Sequence, residues 1–133
     1  DAGGASAAGG QPRVRTARLQ MLATAPADDV RLARPVYRRW GLDYWQRLPG
    51  GAIALGGARD VGGEDEWTAD ARPTAPVQAA LDAVLRGVVG TRAPVTHRWA
   101  AAVGYGAGGL PVCDEVRPGV WACGAYSGTG NVV

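Results

Sequence analysis

The chain has 133 residues, 14 basic and 12 acidic side chains and a formal net charge of +2. One domain of ordinary size, about 100–200 residues, fits that length, and a composition 47% apolar and 20% charged supports a packed core rather than general disorder. The near balance of charge argues against a nucleic-acid or anionic-membrane partner, and no apolar run reaches the roughly 18–20 residues of a membrane span.

The start, Asp1-Ala-Gly-Gly-Ala-Ser, has neither a basic n-region nor an apolar h-region, so no signal peptide is expected and a cytoplasmic location is. Two cysteines exclude a disulfide scaffold and a four-cysteine zinc site, and no metal is expected. Every basic residue is Arg. A mechanism that needs a lysine from this chain is therefore excluded.

Residues 1–12 are small and polar without periodicity and read as a flexible or truncated linker. Val14 to Ala25 reads as a strand, with Leu19, Met21 and Ala23 on one face and Gln20, Leu22 and Thr24 on the other. A short strand is expected within Pro35 to Arg39. Leu42 to Leu48, the turn Pro49-Gly50-Gly51 and Ala52 to Gly56 form the clearest hairpin. Gly56 to Asp70, with Asp60, Glu64, Asp65, Glu66 and Asp70, reads as a surface loop whose acidic cluster is solvated.

Thr74 to about Val88 predicts one helix. Val77, Leu81, Val84, Leu85 and Val88 share a face, with Ala80 beside them. Thr74 is the expected N-cap, Pro76 sits in the first turn, and Gly87 or Gly90 ends the helix. Val95 to Tyr105 is a further strand. Leu110 to Asp114 and Val120 to Gly124 are expected to pair around Arg117-Pro118-Gly119. Strands, one helix, then strands define an α+β fold: a mostly antiparallel sheet with one packed helix.

Gly104-Tyr-Gly-Ala-Gly-Gly109 fits G-x-G-x-x-G, but a strand follows it where a dinucleotide site needs a helix. Tyr126-Ser-Gly-Thr-Gly-Asn131 has a better context. A strand runs into a glycine turn, and a helix beginning at Asn131 would favour an anion or polarised carbonyl at its N-terminus; a plain strand-to-helix turn has the same pattern. His97 is a general base, a pocket donor or a structural side chain, with no Ser or Cys partner for a triad. Cys113 and Cys123 are expected to be buried small hydrophobes, offset across their hairpin and not disulfide-linked. Arg59 ends a strand at a glycine-rich bend, where an Arg clamps a carboxylate or pairs with Asp60. Trp40, Tyr44, Trp45, Trp67, Trp99 and Trp121 predict core or interface rings.

Three stretches together carry a family resemblance. They are Gly41-Leu-Asp-Tyr-Trp-Gln-Arg-Leu-Pro-Gly-Gly with Ile53-Ala-Leu-Gly-Gly-Ala-Arg59; Thr96-His-Arg-Trp99 followed by Gly109-Leu-Pro111; and Val116 through Asn131. Their order and spacing resemble the C-terminal half of FAD-dependent oxidoreductases of the D-amino-acid oxidase superfamily, closest in look to gamma-glutamylputrescine oxidoreductase-like members. The resemblance covers about residues 13 to 133. It implies a substrate-domain-like region over 13–123 and, over 124–133, the start of a glycine-rich return to an FAD domain. Tyr126, Ser127, Gly128, Thr129, Gly130 and Asn131 match the segment whose backbone contacts the flavin, with N–H groups around Gly128 to Asn131 facing its pyrimidine end.

Three departures stand out. The FAD-binding half, with its G-x-G-x-x-G and acidic ribose ligand, has no counterpart here, so most of the FAD site is expected elsewhere. No lysine is available over the flavin for oxygen activation, and Gly108 stands where the family's turn usually has Asp. The implied substrate is a small amine or amino acid, with Arg59, Arg98 and Tyr44 as candidate contacts. The complete enzyme would move a hydride from the C–H beside the nitrogen to flavin, and the isolated chain is expected to be inactive. The alternative is a stand-alone α+β module that binds a ligand or protein through its aromatic face.

Overall fold

A computed structural model describes residues 13–128. Its strands are β1 (Val14–Pro26), β2 (Val36–Arg38), β3 (Asp43–Arg47), β4 (Ala52–Gly57), β5 (Val95–Gly106), β6 (Val112–Arg117) and β7 (Val120–Gly124). Its helices are α1 (Arg59–Gly62), a single turn, and α2 (Ala75–Val84). The chain is α+β and mostly antiparallel, as expected: a five-stranded sheet in the order β2-β3-β4-β1-β5 and a two-stranded β6-β7 sheet. Two units divide it. One is Thr16–Val103; the other takes the residues up to Arg15 and from Gly104 on.

In the larger unit the β3–β4 hairpin closes through Gly51, whose N–H bonds Leu48 O at 2.8 Å. Pairing of Tyr44 with Gly56 and of Met21 with Gly56 puts these side chains on one face of the sheet. The opposite face carries Leu22, Ile53 and Leu55, which pack with Val77, Leu81 and Leu85 of the helical segment into the core. Alternation along β1 therefore resolves in favour of Gln20, Leu22 and Thr24 as the buried side, with Leu19, Met21 and Ala23 half-buried on the other.

The helix begins where expected but is built differently at both ends. Thr74 has the extended backbone of an N-cap, yet its side chain makes no capping bond. Gln20 takes it instead: Gln20 Nε2 donates to Thr74 Oγ1 at 2.7 Å, and Thr74 N donates to Gln20 Oε1 at 2.9 Å. At the other end the helix widens into one π turn over Leu85–Val89, closed by Gly90 N bonding Leu85 O. The extra residue in that turn rotates the face. Val89 packs against the core, and Val88, predicted to be on the buried face, is exposed.

Gly56 to Asp70 is not a plain solvated loop. It folds as α1 followed by a 3₁₀ turn, Gly63–Glu66. Glu66, read as part of a solvated cluster, is buried because Arg18 and Gln20 of β1 reach it from the sheet. Among the described residues no buried side-chain nitrogen or oxygen lacks a hydrogen-bond partner, so the polar layer between β1 and the helical segment is fully satisfied.

In the smaller unit β6 starts at Val112, one residue after Pro111, and runs on to Arg117. The reading of the cysteines is overturned. Cys113 lies directly opposite Cys123 rather than offset, and both are exposed rather than buried. A register slip between Glu115 and Arg117 takes up the extra residue on the β6 side, which moves the pairing from the offset that the turn alone implies.

Candidate functional site

The larger unit presents one sheet face that α2 does not cover. Tyr37 of β2 and Tyr44 of β3 lie directly opposite each other and stack, with centroids 5.8 Å apart and an interplanar angle of 25°. They border a groove of about 180 Å³ that Met21, Pro35, Gln46 and Ala54 also line. Gly56 makes this possible. A Cβ there would lie 2.5–2.7 Å from ring atoms of Tyr44, so the ring rests directly on the β4 backbone. A Gly56→Ala variant is expected to keep its fold, because a side chain can give way where backbone cannot. It should lose the Tyr37–Tyr44 stack, read from the tyrosine ring signals in the NMR spectrum.

Arg98 points to the other side. Its Nη1 donates to Gln78 Oε1 at 2.8 Å, and its Nη2 donates to both Asp82 oxygens at 2.8 and 2.9 Å. It ties β5 to α2 from the helix face. Strand alternation then turns His97 and Trp99 toward the uncovered face. His97 is exposed, with Nδ1 2.9 Å from Thr96 Oγ1. Because Arg98 and Asp82 are both partly exposed, Arg98→Ala is expected to cost only about 0.2–1 kcal/mol in urea unfolding.

Arg59 follows Ala58, which sits in the left-handed region at φ 54°. Its guanidinium stacks on Trp67, 4.8 Å from the ring centroid, beside a cleft of about 360 Å³ with Leu42, Asp60 and Glu64. Asp60 is held by Arg39, whose Nη1 lies 2.7 Å away. Arg39 also grips the buried Asp43 carboxylate through Nε and Nη2, each at 2.7 Å. Those hydrogen bonds outweigh burial and hold Asp43 below the usual carboxylate range. The clamp spans two successive left-handed residues, Arg39 and Trp40, and Trp40 is fully exposed.

In the smaller unit the chain leaves β7 through Ala125 (φ 57°), Ser127 (φ 53°) and Gly128 (φ 83°). Tyr126 bridges to Tyr105. Ser127 N donates to Gly104 O at 3.1 Å, and Ser127 Oγ accepts from Gly106 N at 3.2 Å. The G-x-G-x-x-G letters of Gly104 to Gly109 thus brace this return: β5 ends at Gly106, a 3₁₀ turn follows, and β6 comes next. Among the described residues, a Cβ at Gly128 would meet nothing nearer than the Tyr105 hydroxyl at 3.9 Å. Thr129, Gly130, Asn131 and the helix expected from Asn131 lie outside the described residues.

Sequence reasoning did not single out Tyr37, Met21 or the buried Arg18–Glu66 pair. The signal for the first two was present in the alternation of β1 and in the pairing of β2 with β3. None existed for Glu66, because its partners lie 46 and 48 positions away.

The family model for FAD-dependent oxidoreductases matches residues 1–132. The chain belongs to that FAD-dependent oxidoreductase family, and FAD is the cofactor of the family. No curated protein matches the chain. Among the described residues no helix is long and apolar enough to cross a membrane.

Proposed function

We propose that this chain is the substrate-side portion of an enzyme that oxidises a small amine or amino acid at its C–N bond, in the manner of the gamma-glutamylputrescine oxidoreductase-like members. The observation that carries this is the uncovered sheet face with its Tyr37–Tyr44 stack and groove. Apolar and aromatic surface of that kind is normally covered by a partner or ligand. FAD, when bound, supplies the two-electron acceptor for the hydride next to nitrogen.

The protein's own part is positioning. Tyr44, with Tyr37 and Met21, walls the substrate and excludes water, which strengthens the electrostatic contacts made inside. Backbone N–H groups around Gly128 to Asn131 would hold the pyrimidine end of the flavin and favour negative charge there. Arg59, stacked on Trp67, is the candidate for a substrate carboxylate; an amine substrate leaves that role empty. The rest of the FAD site is assigned to a region other than this chain, so the chain by itself is expected to be inactive. No lysine is offered for oxygen activation, and the electron acceptor is left to chemistry other than a lysine's.

The test is anaerobic reduction of the flavin-loaded complete enzyme by a panel of primary amines, secondary amines and amino acids, followed by loss of the oxidised-flavin absorbance. Bleaching by amines or amino acids is the expected result. Bleaching only by hydroxy acids or other nitrogen-free donors overturns the reading. A Tyr44→Ala variant is expected to raise KM for the amine about tenfold with a smaller change in kcat, the pattern of lost binding rather than lost chemistry.

A further inference from the structure

We propose that Cys113 and Cys123 are a modification site: a dithiol that closes reversibly to a disulfide and staples the β6–β7 hairpin. The antiparallel register sets the two residues directly opposite each other. Directly opposed residues of antiparallel strands have Cα atoms about 4.5–5.5 Å apart. That falls inside the roughly 4.4–6.8 Å that a disulfide spans, so no backbone movement is needed. The two Sγ atoms lie 2.7 Å apart, so the side chains already point at each other across the hairpin. Both side chains are exposed, so a small oxidant reaches them. They are the only two cysteines of these 133 residues.

The location gives the bond a consequence. β6 and β7 form a two-stranded sheet whose side chains are mostly exposed, and a hairpin of two strands has little stability of its own. A cross-link between residues ten positions apart removes conformational freedom from the opened hairpin. The stapled hairpin leads directly into Ala125 to Gly128.

The oxidant is a low-molecular-weight disulfide such as oxidised glutathione. One protein thiolate attacks a glutathione sulfur, forming a mixed disulfide and releasing one glutathione thiolate. The second protein thiolate then attacks the protein sulfur of that mixed disulfide and releases the other. Two protein thiols are oxidised, one glutathione disulfide is reduced, and the two thiol protons end on two glutathione molecules.

The purified protein is equilibrated in glutathione buffers of graded ratio, native and in urea, quenched with an alkylating agent and cleaved after Glu115, between the two cysteines. The expected result is two peptides that stay joined until a reductant is added, with an equilibrium constant about tenfold or more larger in the native protein than in urea. Cys113→Ser is expected to stop at a glutathione adduct on Cys123, and Cys123→Ser at one on Cys113. Two alkylated thiols under oxidising buffer, stable glutathione adducts in the unmodified protein, disulfide dimers, or equal constants in native protein and urea would each overturn the proposal.

Discussion

Replacing Glu66 by Ala is expected to cost about 3–5 kcal/mol of folding stability, the range for breaking a buried ion pair by removing one partner. Arg18 Nη2 donates to Glu66 Oε1 at 2.7 Å and Arg18 Nε to Oε2 at 3.1 Å, a two-pronged contact. Gln20 adds a third donor to Oε2 at 2.9 Å. Both charged side chains are buried. Without the Glu66 carboxylate, buried Arg18 keeps its charge with backbone acceptors such as Asp65 O, 3.2 Å away, and only the more distant Asp70 carboxylate, 3.9 Å from Nη1, as a charged partner. Glu66→Gln keeps the shape and one acceptor and is expected to lose less.

The same pair predicts a pH dependence. Burial pushes the Glu66 carboxyl up, but hydrogen bonds from Arg18 and Gln20, with the charge of Arg18, outweigh it and hold the group below its usual value. The folded pKa is therefore lower than the unfolded one. The pair's contribution is complete above the unfolded pKa and is lost as pH falls through the folded pKa. Urea midpoints from neutral pH down into the acid range should fall for the unmodified protein and fall less steeply for Glu66→Gln. Equal slopes for the two proteins would show that the pair does not carry the acid sensitivity.

Gly57→Ala is expected to destabilise by about 3 kcal/mol or more, from overpacking together with a backbone conformation that side chains avoid. Gly57 sits at φ 130°, and a Cβ would collide with the Leu42 carbonyl oxygen and lie 2.7 Å from Asp43 Cα. These are backbone atoms, held by the pairing of Asp43 with Gly57 and by Ala58 N bonding Leu42 O at 2.8 Å. Neither side has room to move. Gly50→Ala, where a Cβ meets nothing within 4 Å, is the matched control and is expected to stay within about 0.5 kcal/mol of the parent. Faster amide exchange at Ala58 in Gly57→Ala would locate the damage at the bond that ends β4 and sets up Arg59. A thermal midpoint unchanged from the Gly50→Ala control would overturn the argument.

Much of the fold was legible because the signals are local. The turn residues Pro49, Gly50 and Gly51 stand between two short runs able to pair, and Val77, Leu81 and Leu85 repeat at helical spacing; both patterns carry their geometry with them. The three family stretches likewise named FAD chemistry from residues close together in the chain, and the family match agrees with them. The cysteine pairing failed for a local reason too: a register slip between Glu115 and Arg117 has no mark in the residues themselves.

What the chain order alone determined is therefore the α+β class, the hairpins, the helix with the Val77, Leu81 and Leu85 part of its buried stripe, and the family. Each rests on contacts between residues near in sequence or on motif spacing. Only the tertiary structure decided which face of β1 is buried, that Glu66 belongs to a buried ion pair, that Arg98 bonds the helix, and that Tyr37 and Tyr44 border an uncovered groove. Those outcomes depend on which segment packs against the sheet and from which side, a choice made by partners tens of residues away.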